Sequence, residues 1–269
     1  MSEIENLTVT ASDGIPLGYF RRGQGPALVI THGSIATKEQ WLPASEFLAE
    51  NFTVYVYDRR GRGATGDSAE YTLETEVADI ATMMEVAGPG THLLGHSFGA
   101  LCTLAYSRQH GLGGGTHIAY EPPLAVQGPV AGERLPGYVE LIDKGDLDSA
   151  LEYALINFVR VPAEAIPFIR ETPIWGSAVP LTPTWVRELR EIDALGTDLS
   201  GYAGITDPTH LIAGTATTSF LAQSAHDLAQ TIPGATSTDI EGADHFAHLS
   251  DPAGFAQVVT DAVSAHARA

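Results

Sequence analysis

The segment Gly95-His96-Ser97-Phe98-Gly99 sets a serine between two glycines, with apolar Leu93 and Leu94 before it and Ala100, Leu101, Cys102, Leu104 and Ala105 after it. Read as strand, abrupt turn and helix, this layout places a serine on a strained bend with its Oγ above the edge of a sheet. Glycines two residues to either side leave room where a Cβ would collide. The helix that begins there directs free N–H groups and its dipole at the same point. Ser97 is therefore a candidate nucleophile. A chance occurrence of the same five letters in a loop would lack the flanking strand and helix.

A serine attacking a carbonyl also needs donors for the oxygen that becomes negative. The continuous apolar run at 27–31 reads as a strand buried on both faces and ends in His32-Gly33-Ser34-Ile35. The glycine lets the backbone curl over the sheet, so the N–H of Ser34 or of Ile35 would face the carbonyl oxygen beside the N–H of Phe98.

The elements around these residues follow a rhythm. Alternation at 4–10, a turn at Asp13-Gly14 and an extended pattern at 17–20 read as an antiparallel hairpin. From 27 to 104 strands and helices alternate, which predicts a mostly parallel sheet with helices on both faces. Gly61, Gly63 and Gly66 spell a dinucleotide fingerprint, but the next helix begins only near Leu73, and such a site needs strand, glycines and helix in immediate succession. A tight polar loop, with Asp58 and Arg59 to Arg62 pinning backbone, is the expectation there. From Pro122 to Asp207 apolar positions recur at helical spacing (Leu135, Tyr138, Ile142; Leu151, Leu155, Phe158; Trp185, Leu189, Ile192) with prolines at the joints. This predicts a helical lid at 122–207 over a core formed by 1–121 and 208–269, with Phe168, Trp175 and Trp185 as candidate substrate-binding residues.

The 269 residues suffice for a sizeable core, and the single cysteine, Cys102, excludes an internal disulfide. A net charge of −19 disfavours nucleic acid and anionic membranes as partners. The first thirty residues lack a signal-like start, and no apolar run approaches the ~18 residues of a membrane span, so a cytoplasmic protein is expected. A homodimer is left open.

The hairpin, His-Gly after the third strand, Asp-Arg-Arg-Gly-Arg-Gly, Gly-His-Ser-Phe-Gly, the helical stretch and a late Gly-x-x-His together resemble the α/β-hydrolase fold over nearly the whole chain. The resemblance implies a triad in the order Ser, acid, His, the histidine following the last strand. Gly242-Ala-Asp-His245 fits, making His245 the expected base. An i, i+3 metal pair with His248 lacks a third ligand at suitable spacing, and neither metal nor cofactor is expected. The acid departs from the family pattern. An aspartate is expected after the strand ending at Ala213, where Gly214-Thr-Ala-Thr-Thr-Ser219 offers no carboxylate. Thr217, Thr218 or Ser219 would accept the imidazole N–H without stabilising the imidazolium, and loss of that charge costs about 10⁴ in turnover in serine proteases. Glu121, at the end of the strand after the Ser97 helix, has the reach to replace it, as relatives that carry their acid there do. It equally suits a structural role tying lid to core.

The expected reaction is hydrolysis of an ester or lactone of a small to medium hydrophobic substrate through an acyl-enzyme, with kcat/KM rising as His245 loses its proton. The alternatives are a lyase, carbon–carbon hydrolase or perhydrolase on the same fold, and a non-hydrolytic ligand-binding protein.

Overall fold

The computed structural model describes residues 2–217 and 220–266; Thr218 and Ser219 lie outside the described residues. Strands β1 (Glu5–Thr10), β2 (Pro16–Gly23), β3 (Ala27–Thr31), β4 (Thr53–Tyr57), β5 (His92–His96), β6 (His117–Tyr120), β7 (Thr209–Gly214) and β8 (Thr236–Ile240) form one eight-stranded sheet in the order β1-β2-β4-β3-β5-β6-β7-β8. The β1–β2 hairpin is antiparallel, as is its junction with β4, and every pairing from β4 to β8 is parallel. The order reverses at β3, so β3 and β5 are neighbours. Thr31 stands opposite Gly95, which brings the His-Gly turn and the serine turn to the same edge.

Period-2 alternation divides the apolar strand residues between two faces. Val29, Leu93, Ala119 and Leu211 pack with α2 (Leu73–Ala87), α3 (Phe98–His110) and α9 (Phe220–Thr231), while Leu28, Ile30, Leu94 and Ile212 pack against α1 (Leu42–Leu48) and α11 (Pro252–His266). Both faces being covered explains why β3, β5 and β7 read as unbroken apolar runs. Capping follows local chemistry. Thr72 and Thr75 form a reciprocal box at the start of α2, and Asp251 Oδ1 accepts from Gly254 N at 3.0 Å ahead of Pro252 in α11.

Between β6 and β7 lie α4 (Leu135–Asp143), α5 (Leu147–Ala154), α6 (Ile166–Arg170), α7 (Pro173–Ala178) and α8 (Thr182–Ala194), with one wider turn at Leu155–Val159. This segment holds no named strand among the described residues. The remaining helix, α10 (Ala247–Ser250), is a single turn after the His245 loop. Among the described residues no helix is long and apolar enough to cross a membrane.

Five histidines, His32, His96, His117, His210 and His248, are buried within this frame. Burial, first among the causes, lowers His117 and His210 to about 4 and His248 to about 3, and holds His32 and His96 well below their ordinary value. They are neutral in the folded protein, whereas in the unfolded chain each takes up a proton below about pH 6.5. The unfolded state thus binds more protons, and stability falls as pH drops below 6.5 toward the folded values. Asp79, raised by burial to about 6, acts oppositely between its ordinary value and 6, one group against five. Each histidine adds roughly 1.4 kcal/mol of loss per pH unit. Urea unfolding at pH 7.5 and 5.5 is expected to differ by several kcal/mol; equal stabilities would show that these imidazoles are not held neutral.

Candidate active site

Ser97 occupies the turn between β5 and α3 with φ 55° and ψ −126°, a conformation L-residues rarely adopt. Its two glycines are there for space. A Cβ on Gly95 would lie 2.3 Å from Thr103 Oγ1, and one on Gly99 would lie 2.2 Å from the Thr31 carbonyl oxygen. A third glycine, Gly33, brings its backbone against the serine, since a Cβ there would sit 3.0 Å from Ser97 Cβ.

Past Gly33, Ile35 has φ 44°, strained for a β-branched residue. The N–H groups of Ser34 and Ile35 have no acceptor among the described residues, and both residues line the same cavity as Ser97. Phe98 is the first residue of α3, where the N–H has no partner within the helix. Ser34 and Ile35 thus line the cavity together with Ser97, and Phe98 follows Ser97 at the start of α3.

His245 lies on the loop between β8 and α10. Its Nδ1 is 2.5 Å from Glu121 Oε2, and its ring faces the cavity that Ser97 also lines. Two neighbours hold this loop. The Tyr120 hydroxyl donates to the Asp244 carbonyl at 2.5 Å and accepts from Ala247 N at 3.2 Å, and His96 Nε2 donates to the His245 carbonyl at 3.0 Å. His248 stacks on Trp41, with ring centroids 4.5 Å apart. It is buried as packing, and no group of three or more metal-ligating side chains occurs among the described residues. Asp244 turns away from the imidazole and accepts from Phe246 N.

Glu121 is fully buried and sits at φ 46°, a bend that ends β6. Its Oε1 accepts from Gly214 N and from Thr217 Oγ1, both at 2.7 Å. The carboxylate thus reaches across from β6 to the end of β7, where the family pattern would have put an aspartate. Thr217 donates to Glu121 in place of accepting from the histidine. Of the other carboxylates, Asp207 accepts from Ser107 and Leu112 at the opposite end of β7, Asp193 accepts from Val130, Ala131 and Gly132 in the lid, and Asp198 accepts from Ser200.

The cavity beneath the lid measures about 660 Å³ and is lined mainly by apolar side chains. Trp175 and Trp185 are part of its wall, but Phe168 is not: it is 77% exposed. In the short α6, Ile166 is buried and Ile169 faces the cavity, which leaves residue 168 on the outer side. Spacing, more than aromatic character, was the informative signal. Leu151, Leu155 and Val159, four residues apart, supply wall that aromatic content did not point to.

The Asp58-to-Gly63 loop ties lid to core. Asp58 binds Lys38 Nζ at 2.5 Å, and a Cβ on Gly63 would fall 2.2 Å from the Asp58 carboxylate, so the glycine spacing serves this turn. Arg59 is fully buried. It binds Glu76 through Nε at 3.1 Å and Nη2 at 2.8 Å, donates to the Gly33 carbonyl at 3.2 Å, and lies 4.7 Å over the Phe98 ring. Glu188 of α8 reaches down to Arg59 at 2.6 Å and also binds Arg62. Burial alone would lower the Arg59 pKa, but Glu188 and Glu76 outweigh it and hold it well above its usual range. The role of the loop was legible in the sequence; its partner in the lid was not.

With this geometry in hand, comparison with known proteins places the chain. A sequence model described as the alpha/beta hydrolase family matches residues 28–258, and the chain belongs to that family. It shares 33% identity over 137 residues with N-formylmaleamate deformylase of Pseudomonas putida, and 31% over 141 residues with a non-heme haloperoxidase of Rhodococcus erythropolis. These alignments take in 49% and 50% of this chain, and the chain spans about half the length of both relatives, 51%. Among solved structures it resembles an alpha/beta hydrolase of Sphaerobacter thermophilus, with a TM-score of 0.85 and 30% identity over 95% of this chain and 99% of that one. It shares its fold with an enol-lactonase of Burkholderia xenovorans at a TM-score of 0.79 and 22% identity, covering 96% of this chain and 100% of that one.

The lid clamp makes a stability prediction. Glu188→Ala would leave the buried Arg62 without a carboxylate and Arg59 with Glu76 alone, and is expected to cost about 3–5 kcal/mol in urea unfolding. Glu191→Ala on the same helix, which loses one bond to Leu73 N, is the comparison and should cost far less. Equal losses would show that the clamp carries no special weight.

Proposed function

We propose that this protein hydrolyses an ester or lactone bond through an acyl-enzyme on Ser97. His245 takes the serine proton as Oγ bonds to the substrate carbonyl carbon, and Glu121 stabilises the resulting imidazolium. The oxyanion is held by the N–H of Phe98 and of Ser34 or Ile35. The tetrahedral intermediate collapses, and the alcohol leaves with the proton returned by His245. Water, activated by the same base, then releases the acid and regenerates the serine.

The observation that carries this reading is the 2.5 Å contact of a buried Glu121 carboxylate with His245, on a cavity that also holds Ser97. The apolar wall supports an uncharged reacting group flanked by hydrocarbon. The names of its relatives support hydrolytic chemistry, and one of them, the deformylase, adds formyl amides to the substrates worth screening.

Fluorophosphonate labelling read by intact mass, together with turnover of an ester and lactone panel, tests it. Wild type should take one label and hydrolyse panel members, and Ser97→Ala should do neither. Glu121→Gln should slow labelling by about 10³–10⁴, the range expected when an imidazolium loses its counter-charge. An unlabelled wild-type protein, or a Glu121→Gln variant that labels at the wild-type rate, overturns the assignment.

A further inference from the structure

Four non-glycine residues among those described have a positive φ: Ile35, Ser97, Glu121 and Arg160. The first three belong to the candidate oxyanion turn, nucleophile and acid. Arg160 is the fourth, with φ 64° and ψ 35°, immediately after the wide turn at Leu155–Val159. Val161 N closes that turn onto the Leu155 carbonyl at 2.9 Å. Glycine fills this conformation with least strain, and L-residues seldom adopt it. An arginine here is thus a strained choice at the cavity wall.

Arg160 is the only lysine or arginine among the described cavity-lining residues. Its guanidinium lies 4.7 Å over the Phe220 ring, and Nη1 donates to Gln127 Oε1 at 2.9 Å. Both neighbours are neutral, and no carboxylate among the described residues pairs with it. A guanidinium has five N–H donors, so most remain available. The arginines of the loop that braces the site, Arg59, Arg60 and Arg62, are each paired with a carboxylate.

We propose that Arg160 is a specificity residue that binds a carboxylate on the substrate, away from the bond being cleaved. The preferred substrate is then a half-ester or lactone bearing a free carboxylate, joined to the reacting carbonyl by a hydrocarbon segment that the apolar wall accommodates. This narrows the neutral hydrophobic substrate expected from composition, and it rests on the proposed ester or lactone hydrolysis. The overall negative charge of the chain does not oppose it, because screening limits that field to about 8–10 Å, whereas a partly desolvated arginine acts at contact.

The test compares 4-nitrophenyl hydrogen adipate with neutral 4-nitrophenyl hexanoate, using wild type, Arg160→Lys and Arg160→Met. A charge-assisted contact of this kind corresponds to about 10–100-fold in affinity. Wild type should favour the carboxylate ester in kcat/KM, and Arg160→Met should lower the acid-to-neutral ratio by about 10–100-fold, mostly through KM. Arg160→Lys should recover part of the ratio, and added salt should erode it in wild type but not in Arg160→Met. A ratio unchanged by Arg160→Met overturns the inference while leaving ester hydrolysis intact.

Calorimetric binding of hexanoate and hexanamide to Ser97→Ala, with and without Arg160→Met, separates the two readings further. A hexanoate preference that vanishes with Arg160→Met supports the inference even where neither ester is hydrolysed, an outcome that sinks the proposed reaction instead. No preference, or one indifferent to Arg160, overturns the inference whatever the turnover.

Discussion

The site depends on one buried carboxylate. Glu121 is fully buried, and its oxygens are bonded by the Gly214 N–H, the Thr217 hydroxyl and the His245 imidazole. An ionised carboxylate is tolerated at such a place only when its lone pairs are occupied. Those partners come from β7 and from the loop after β8, while the glutamate itself ends β6. The same three bonds therefore stabilise the charge and fix the spacing of three sheet-edge segments. Tyr120, one residue earlier, bonds the backbone on both sides of His245 and reinforces the arrangement.

The other side of the site is built by close approach. Gly33, Gly95 and Gly99 each stand where a Cβ would overlap the serine turn or the neighbouring strand end. Ile35, Ser97 and Glu121 take up the conformational strain at the carboxyl ends of β3, β5 and β6, which are adjacent in the sheet. Strain of this type persists only where surrounding packing over-determines it. Here the two apolar layers on either face of the sheet supply that packing, and the open edge above them is left for chemistry.

Much of this was legible in the sequence because it rests on local rules. The hairpin, the alternating strands and helices and the serine turn follow from periodicity and glycine placement. The contact of Glu121 with His245 was legible only as one of two readings, the other being a structural role, because no local signal reports that a side chain at the end of β6 meets a loop after β8. Thr217 illustrates the same limit: its hydroxyl sits beside the acid, yet its bond runs to the glutamate. Phe168 shows the reverse error, where residue type suggested a pocket and the outward side of a one-turn helix decided otherwise. Arg160 gave no local sign at all, since neither its neighbours nor its spacing reveals the left-handed backbone that sets it at the wall.

Arg59 has one further implication, for how a substrate gets in. The guanidinium bridges Glu188 in α8 to the Gly33 carbonyl and the Phe98 ring beneath it. A wholesale swing of the lid about its ends would leave Arg59 with Glu76 alone and Arg62 with no carboxylate, and would draw on the contacts that shape the Gly33 turn. The cheaper route of entry is through the other side of the lid, where α6 and α7 are helices of one or two turns joined at prolines and carry no comparable buried ion pair to the core among the described residues. Within the lid, α8 is thus the helix anchored to the core by buried ion pairs, and the short helices are the part held by packing without them.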